Sequence, residues 1–187
     1  MVKKKACIFI SVSGTNLKSI IKNSRDYNFP IKINLVITNK KNAGGIYFAK
    51  KFSIPYLILN KNQKNLEKIA LNELRKYKIN LICLAGFMRI LSKKFVRSFK
   101  GHIINIHPSL LPKYKGLNTF KRALNDKEKI TGCTVHFVDE KLDNGRFILK
   151  KRVWIDKKDT PEILKRKVQA EEYKVYSFAI RKIYNYI

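Results

Sequence analysis

The sequence predicts a doubly wound α/β domain with a mostly parallel sheet and an antiparallel extension toward its C-terminal side. Three observations carry that prediction. Short apolar runs alternate with helical periodicities from Ala6 to His107. One of those runs, Leu81 to Ala85, is apolar without a break, as expected of a strand buried on both faces of a parallel sheet. After Pro112 the pattern changes to two strand-like runs joined by a polar loop holding Asn144-Gly145, a hairpin signal, and then a long helical stretch. At 187 residues the chain is long enough to bury one full core, and it reads as a single domain over 1–187.

The elements follow in order. Ala6 to Ile10 is a short apolar strand, and the turn Ser11 to Asn16 leads into a helix from Leu17 to about Asn23. Ile31 to Thr38 reads as a strand, Gly45 to Phe52 as a helix and Tyr56 to Leu59 as a third strand. Leu66, Ile69, Ala70, Leu74 and Tyr77 mark the apolar stripe of a longer helix. The Leu81 run is followed by a short helix, Lys93 to Phe99, and by a strand, Ile103 to His107. Thr131 to Val138 and Phe147 to Val153 form the hairpin pair. Thr160-Pro161-Glu162 starts the last helix, with Thr as N-cap and Pro at the first helical position.

Composition narrows the function classes. No apolar stretch approaches the length of a membrane span. Lys3-Lys4-Lys5 ahead of Ala6 to Ile10 resembles a signal peptide only superficially, because the apolar run stops after five residues, so a cytoplasmic protein is expected. Cys7, Cys83 and Cys133 are odd in number, far apart and set among apolar residues, which suits reduced core thiols. His102, His107 and His136 lack ligand spacing, so no metal is expected. The formal net charge of +28 would attract polyanions, yet the lysines are spread along the whole chain and no zinc finger or RNP-type sequence accompanies them. Most of this charge reads as solvated surface that steers small anionic substrates, and no specific nucleic acid or membrane partner is expected.

The chemistry points to Asn105-Ile106-His107-Pro108. On a strand, residues two apart share a face, so Asn105 and His107 project together just before Pro108 ends the strand. A carboxamide beside an imidazole can bind a developing oxyanion and move a proton; the plain alternative is a capped strand end with a satisfied histidine. Ligands of such sheets sit outside the carboxyl ends of the strands, where three more features fall. In the Ser11 to Asn16 loop, Gly14 would allow close backbone approach, Ser13 and Thr15 add hydroxyls, and the helix start favours an anion such as one phosphate, although a simple turn and cap looks the same. Phe87, Met88, Ile90 and Leu91, with Arg89 among them, could line a flat pocket or be ordinary core. Asp143 precedes Asn144-Gly145 and reads as a turn residue unless it lies near His107, where a carboxylate would favour the charged ring and hold a water. On the last helix Glu171 and Glu172 both fall near the stripe of Leu164, Val168, Val175 and Ala179. Periodicity leaves open which turns inward, and a carboxylate that does would suit vicinal sugar hydroxyls.

Taken together these residues resemble the folate-dependent phosphoribosylglycinamide formyltransferases. The resemblance runs through Ser13 to Leu17, Thr38-Asn39-Lys40, Leu84 to Leu91, Asn105 to Tyr114 with Gly116-Leu117, Thr134 to Val138, Leu142-Asp143 with Gly145, and Val168-Gln169 with Glu172. It implies direct formyl transfer from 10-formyltetrahydrofolate, a cosubstrate, to the amine of glycinamide ribonucleotide, without an acyl-enzyme or a metal. It further implies that Asn105 binds the oxyanion, that His107 assists and relays a proton, and that Asp143 tunes His107 and positions a water. Ser13, Gly14, Thr15 and Asn16 would hold the phosphate with help from Lys64, and Glu172 the ribose. Met88, Arg89, Ile90 and Leu91, with the loop from Val138 through Asp139 and Glu140 to Asp143, would hold the pteridine. A monomer or weak homodimer is expected.

The chain departs from that family at Val12, where glycine is usual, and near Gln63 and Lys64, where an arginine is usual. Lys115 and Arg146 stand where proline is common, and Asn118 and Tyr173 where histidine is frequent. Methionyl-tRNA formyltransferase and formyltetrahydrofolate hydrolase share the chemistry but normally carry a further domain, for which the chain leaves no room. A basic RNA-binding relative without activity is the non-enzymatic rival, and an intact Asn105, His107 and Asp143 set speaks against it.

Overall fold

A computed structural model describes residues 2–60 and 65–184. Lys64, expected to help hold the phosphate, lies outside the described residues, as does its neighbour Gln63. Among the described residues seven strands are formed, β1 (Lys4–Ile10), β2 (Ile31–Thr38), β3 (Tyr56–Ile58), β4 (Leu81–Leu84), β5 (His102–His107), β6 (Ile130–Phe137) and β7 (Phe147–Trp154). The helices are α1 (Thr15–Ser24), α2 (Gly45–Lys51), α3 (Leu66–Lys76), α4 (Lys93–Ser98), α5 (Thr119–Asn125) and α6 (Pro161–Ile183). The strand order is β3-β2-β1-β4-β5-β6-β7. By contact density the chain divides into a unit ending at Ile104 and a unit beginning at Asn105, with β5 crossing the boundary.

In the first unit β1 pairs in parallel with both β2 and β4, and β2 pairs in parallel with β3. Parallel strands flanked by crossover helices are covered on both faces, and the burial follows: every residue from Ala6 to Ile10 and from Leu81 to Leu84 is buried. Phe9 packs edge-on against Phe87 and Phe95, with ring centroids 5.2 Å and 6.2 Å apart. Helix α1 begins at Thr15, two residues ahead of the apolar periodicity, because Lys18 N–H already bonds Gly14 C=O at 2.9 Å. Of the α3 stripe, Leu66, Ala70 and Leu74 are buried, while Ile69 and Tyr77 are half-buried at its margin.

In the second unit β6 and β7 pair antiparallel from Ile130↔Trp154 to His136↔Phe147, with a bulge between Val135 and His136. The loop between them spans residues 138–146, longer than the tight turn that Asn144-Gly145 suggests, and Gly145 sits at its far end. There it packs so closely on Phe137 that a Cβ would lie 1.9 Å from the Phe137 carbonyl oxygen. Helix α6 starts as expected, with Thr160 Oγ1 accepting from Ile163 N–H and Pro161 in the first turn. Leu164, Val168, Val175 and Ala179 are buried along it. Helix α5 has no counterpart among the elements expected from sequence. It is seven residues long, and its N-cap Asn118 sits in the left-handed region (φ 58°) without a side-chain cap bond, so neither periodicity nor a capping box announces it.

Candidate active site

Asn105 and His107, two apart on β5, reach one carboxylate. Asp143 Oδ2 lies 3.3 Å from His107 Nδ1, and Asp143 Oδ1 accepts from Asn105 Nδ2 at 3.5 Å. Asp143 is therefore more than a turn residue. Its backbone is left-handed (φ 47°), which an aspartate tolerates better than most side chains, and that conformation turns the carboxylate into the cluster. Gly116 N–H donates to Oδ2 at 2.9 Å and holds it there. The carboxylate is 7% exposed.

His107 has both ring nitrogens engaged. Nε2 lies 2.8 Å from the Tyr114 carbonyl, and since a carbonyl only accepts, Nε2 carries a proton. Nδ1 faces Asp143, an arrangement that is complementary when the ring carries its second proton there. Tyr114 is anchored in turn: its hydroxyl lies 2.8 Å from Asp126 Oδ2 and 3.0 Å from Glu128 Oε1, and Arg122 stacks 5.2 Å over its ring. Burial and those two carboxylates hold the phenol well above its ordinary range. The turn after β5 is tied to β6 through Thr134, whose hydroxyl donates to Ser109 C=O at 2.7 Å and accepts from Leu111 N–H at 3.1 Å.

A fourth side chain, His136 of β6, joins the cluster and was not among the residues expected there. It is 2% exposed, with Nε2 3.3 Å from Asn105 Nδ2 and 3.7 Å from Asp143 Oδ1. Burial lowers its pKa below the ordinary histidine value. The available signal was the bulge-prone end of an apolar strand carrying a lone imidazole, which by itself reads as a satisfied core histidine.

The remaining residues of this unit lie around the cluster's loop and on α6. Val138 and Asp139 are half-buried and Glu140 is exposed. Asp139 caps its own turn, accepting from Lys141 N–H at 2.8 Å. Lys115, one of the departures, donates to Asn144 Oδ1 at 2.9 Å beside Asp143. On α6 it is Glu172 that turns inward, 6% exposed, while Glu171 is half-buried and pairs with Lys174 at 3.1 Å. Burial, then the charges of Glu172 and Glu171, push the Cys133 thiol up to about 12. Cys7, raised chiefly by burial, is likewise held protonated, and none of the three buried cysteines forms a disulfide.

In the first unit the loop after β1 is built mostly from backbone. Gly14 (φ 75°) caps α1 without a side-chain bond, and neither α1 nor α2 has an acidic residue in its first turn. Ser13 is exposed, Thr15 half-buried and Asn16 buried. A Cβ at Gly14 would lie 2.4 Å from Gly45 Cα, so the glycine also lets the starts of α1 and α2 touch. Ser11 locks three strand ends together, accepting from Met88 N–H at 2.8 Å and donating to Asn39 Oδ1 at 2.5 Å. The segment after β4 then alternates. Phe87, Arg89 and Leu91 line a small apolar cavity with Phe9, Leu59 and Phe95, whereas Met88 and Ile90 are 56% and 71% exposed. Val12, another departure, meets Gly86, where an added Cβ would fall 2.8 Å from Val12 Cγ2.

The Rossmann-like sheet has a match in sequence: residues 4–180 match the formyl transferase family, to which the chain belongs. Its relatives include phosphoribosylglycinamide formyltransferase of Haemophilus influenzae, 41% identical over 95% of this chain and 86% of that enzyme. The human trifunctional purine biosynthetic protein adenosine-3 is 39% identical over 97% of this chain, which spans only 18% of that protein. The crystal structure of phosphoribosylglycinamide formyltransferase from Brucella melitensis superposes with a TM-score of 0.92 at 36% identity, covering 97% of this chain and 96% of that one.

Proposed function

We propose that the chain is a single-domain phosphoribosylglycinamide formyltransferase: it moves the formyl group of 10-formyltetrahydrofolate to the amine of glycinamide ribonucleotide. The observation that carries this reading is the Asp143 carboxylate shared by Asn105 and His107, which is suited to acyl transfer through a tetrahedral intermediate. The amine nitrogen bonds to the formyl carbon, the carbon–nitrogen bond to the folate breaks, and the amine proton passes to the departing folate nitrogen. Asn105 donates an N–H to the oxyanion. For His107 to do the same, its Nε2–H must leave the Tyr114 carbonyl, and a developing oxyanion is the stronger acceptor. Asp143 orients the His107 ring and positions a water for the proton transfer.

Substrate placement rests on the family likeness and on local chemistry. The uncapped start of α1 with Ser13, Gly14, Thr15 and Asn16 suits a phosphate, and buried Glu172 suits the ribose hydroxyls. The pteridine would lie against Met88, Arg89, Ile90 and Leu91 and the Val138 to Glu140 loop. With buried thiols and no described helix apolar enough to cross a membrane, the cytoplasm is the proposed setting and a monomer or weak homodimer the proposed state.

Purified protein is to be assayed with both substrates, with an Asn105→Ala control and a blank lacking the amine. Amine-dependent transfer that falls on the order of a hundredfold or more in the control is expected. Formate release without the amine would instead indicate a hydrolase. The +28 charge favours one other reading, RNA binding, which would weaken steeply with salt, whereas folate binding would change little.

A further inference from the structure

The cluster holds a buried histidine to which the reaction above gives no task. His136 Nδ1 lies 2.8 Å from the carbonyl of Phe137, and a carbonyl only accepts, so Nδ1 bears the proton. Gly145 makes room for that carbonyl, since a Cβ at 145 would lie 1.9 Å from it. Burial disfavours a second proton on the ring. Nε2 therefore presents a lone pair toward Asn105. The amide nitrogen of Asn105, His136 Nε2 and Asp143 Oδ1 form a nearly equilateral triangle, with sides of 3.3, 3.5 and 3.7 Å. Both acceptors lie to one side of the amide nitrogen, so one N–H can serve the pair and leave the other for a third acceptor. With the amide reversed, its carbonyl oxygen would face a lone pair and a carboxylate oxygen at once.

We infer that His136, as its Nδ1–H tautomer, is a positioning residue that fixes the Asn105 carboxamide with its N–H edge toward the oxyanion. The inference rests on the formyl-transfer reading for its consequence in rate, but the tautomer and the amide orientation stand on the contacts and burial of His136. Asp143 cannot fix the amide by itself as firmly, because its Oδ1 contact with Asn105 is at the long limit of a hydrogen bond and its Oδ2 is shared by Gly116 N–H and His107.

The test is a double-mutant cycle with an added spectrum. His136→Leu is expected to lower kcat by tenfold or more, within the loss on the order of 10²–10³-fold typical of a deleted oxyanion donor, and to leave both KM values in place. His136→Gln, which keeps an acceptor near the Nε2 position, is expected to recover most of that rate. In an Asn105→Ala background, His136→Leu should cost nothing further, since the group it positions is gone. An equal loss in both backgrounds, or a glutamine variant as slow as the leucine variant, would overturn the inference. A long-range 1H–15N NMR spectrum of the unmodified protein at neutral pH should show His136 protonated at Nδ1 and bare at Nε2; the opposite tautomer also overturns it. The spectrum still decides if the leucine variant does not fold. If the unmodified protein shows no formyl transfer at all, the functional reading fails, and the spectrum alone judges the His136 arrangement.

Discussion

Two regions of this molecule handle polar chemistry by opposite means. Around Asp143 in the second unit, side chains do the work: a buried carboxylate and two buried imidazoles meet a half-buried carboxamide, and each orients another. Around Gly14 in the first unit, the backbone does most of it: two helix starts meet through bare glycines, with the Ser11 hydroxyl tying three strand ends beside them. The contrast separates two kinds of fragility. In the first kind, changing one functional group alters protonation and hydrogen bonding while the chain path survives. In the second, adding one carbon moves the chain itself. The side-chain cluster should therefore fail in rate before stability, and the loop in stability and substrate affinity together.

The largest expected effect lies in the cluster. Asp143→Asn keeps the shape and an acceptor for Gly116 N–H, but it removes the charge facing His107 and sets an amide donor among the Asn105 and His136 contacts. Turnover should fall on the order of 10²–10⁴-fold, the range for lost acid–base handling, while folate binding measured by fluorescence titration stays close to that of the parent. Near-normal turnover would remove Asp143 from the mechanism and leave the cluster a structural one.

The loop breaks differently. Gly14→Ala forces a Cβ to within 2.4 Å of Gly45 Cα at a backbone φ of 75°. The left-handed conformation alone costs an alanine about 1–2 kcal/mol, and each kcal/mol lowers the melting temperature of a domain this size by roughly 2–4 °C. Thermal denaturation should show a drop of several degrees together with a raised KM for the nucleotide. A raised KM at unchanged melting temperature would mean that the glycine serves the ligand rather than the helix contact, and the contrast drawn above would fail on that side.

The same contrast governs what could be read from the sequence. Asn105 and His107 were legible because strand period two and a following proline fix their shared direction, and the parallel strands were legible because they are continuously apolar. Glu172 could be narrowed to one of two neighbours, and the structure chose between them because a helix rotates 100° per residue. His136 was not legible. Its place in the cluster comes from contacts with Asn105 and Asp143, distant in sequence, and nothing local distinguishes it from a core histidine. Ser11 and Gly14 were visible as loop residues, but their partners, Asn39, Met88 and Gly45, are distant in sequence, so the job each performs could not be inferred. Helix α5 escaped for want of length.

The smallest effect sharpens the comparison from outside both regions. Thr160 caps α6 through a 3.3 Å bond to Ile163 N–H, it is exposed, and Glu162 already supplies a favourable charge in the first turn. Losing a threonine cap costs about 0.5–2 kcal/mol, and this long, exposed bond belongs at the low end. Helix α6 is held mainly by the burial of Leu164, Val168, Val175 and Ala179, so it does not depend on its cap to form. Thr160→Ala should lower the melting temperature by roughly 1–3 °C and leave kcat unchanged. A fall in kcat alongside it would show that the α6 start is mechanically coupled to the Asp143 cluster. Rate and stability could then no longer be assigned to separate regions, and the small melting shift would carry more weight than either larger effect.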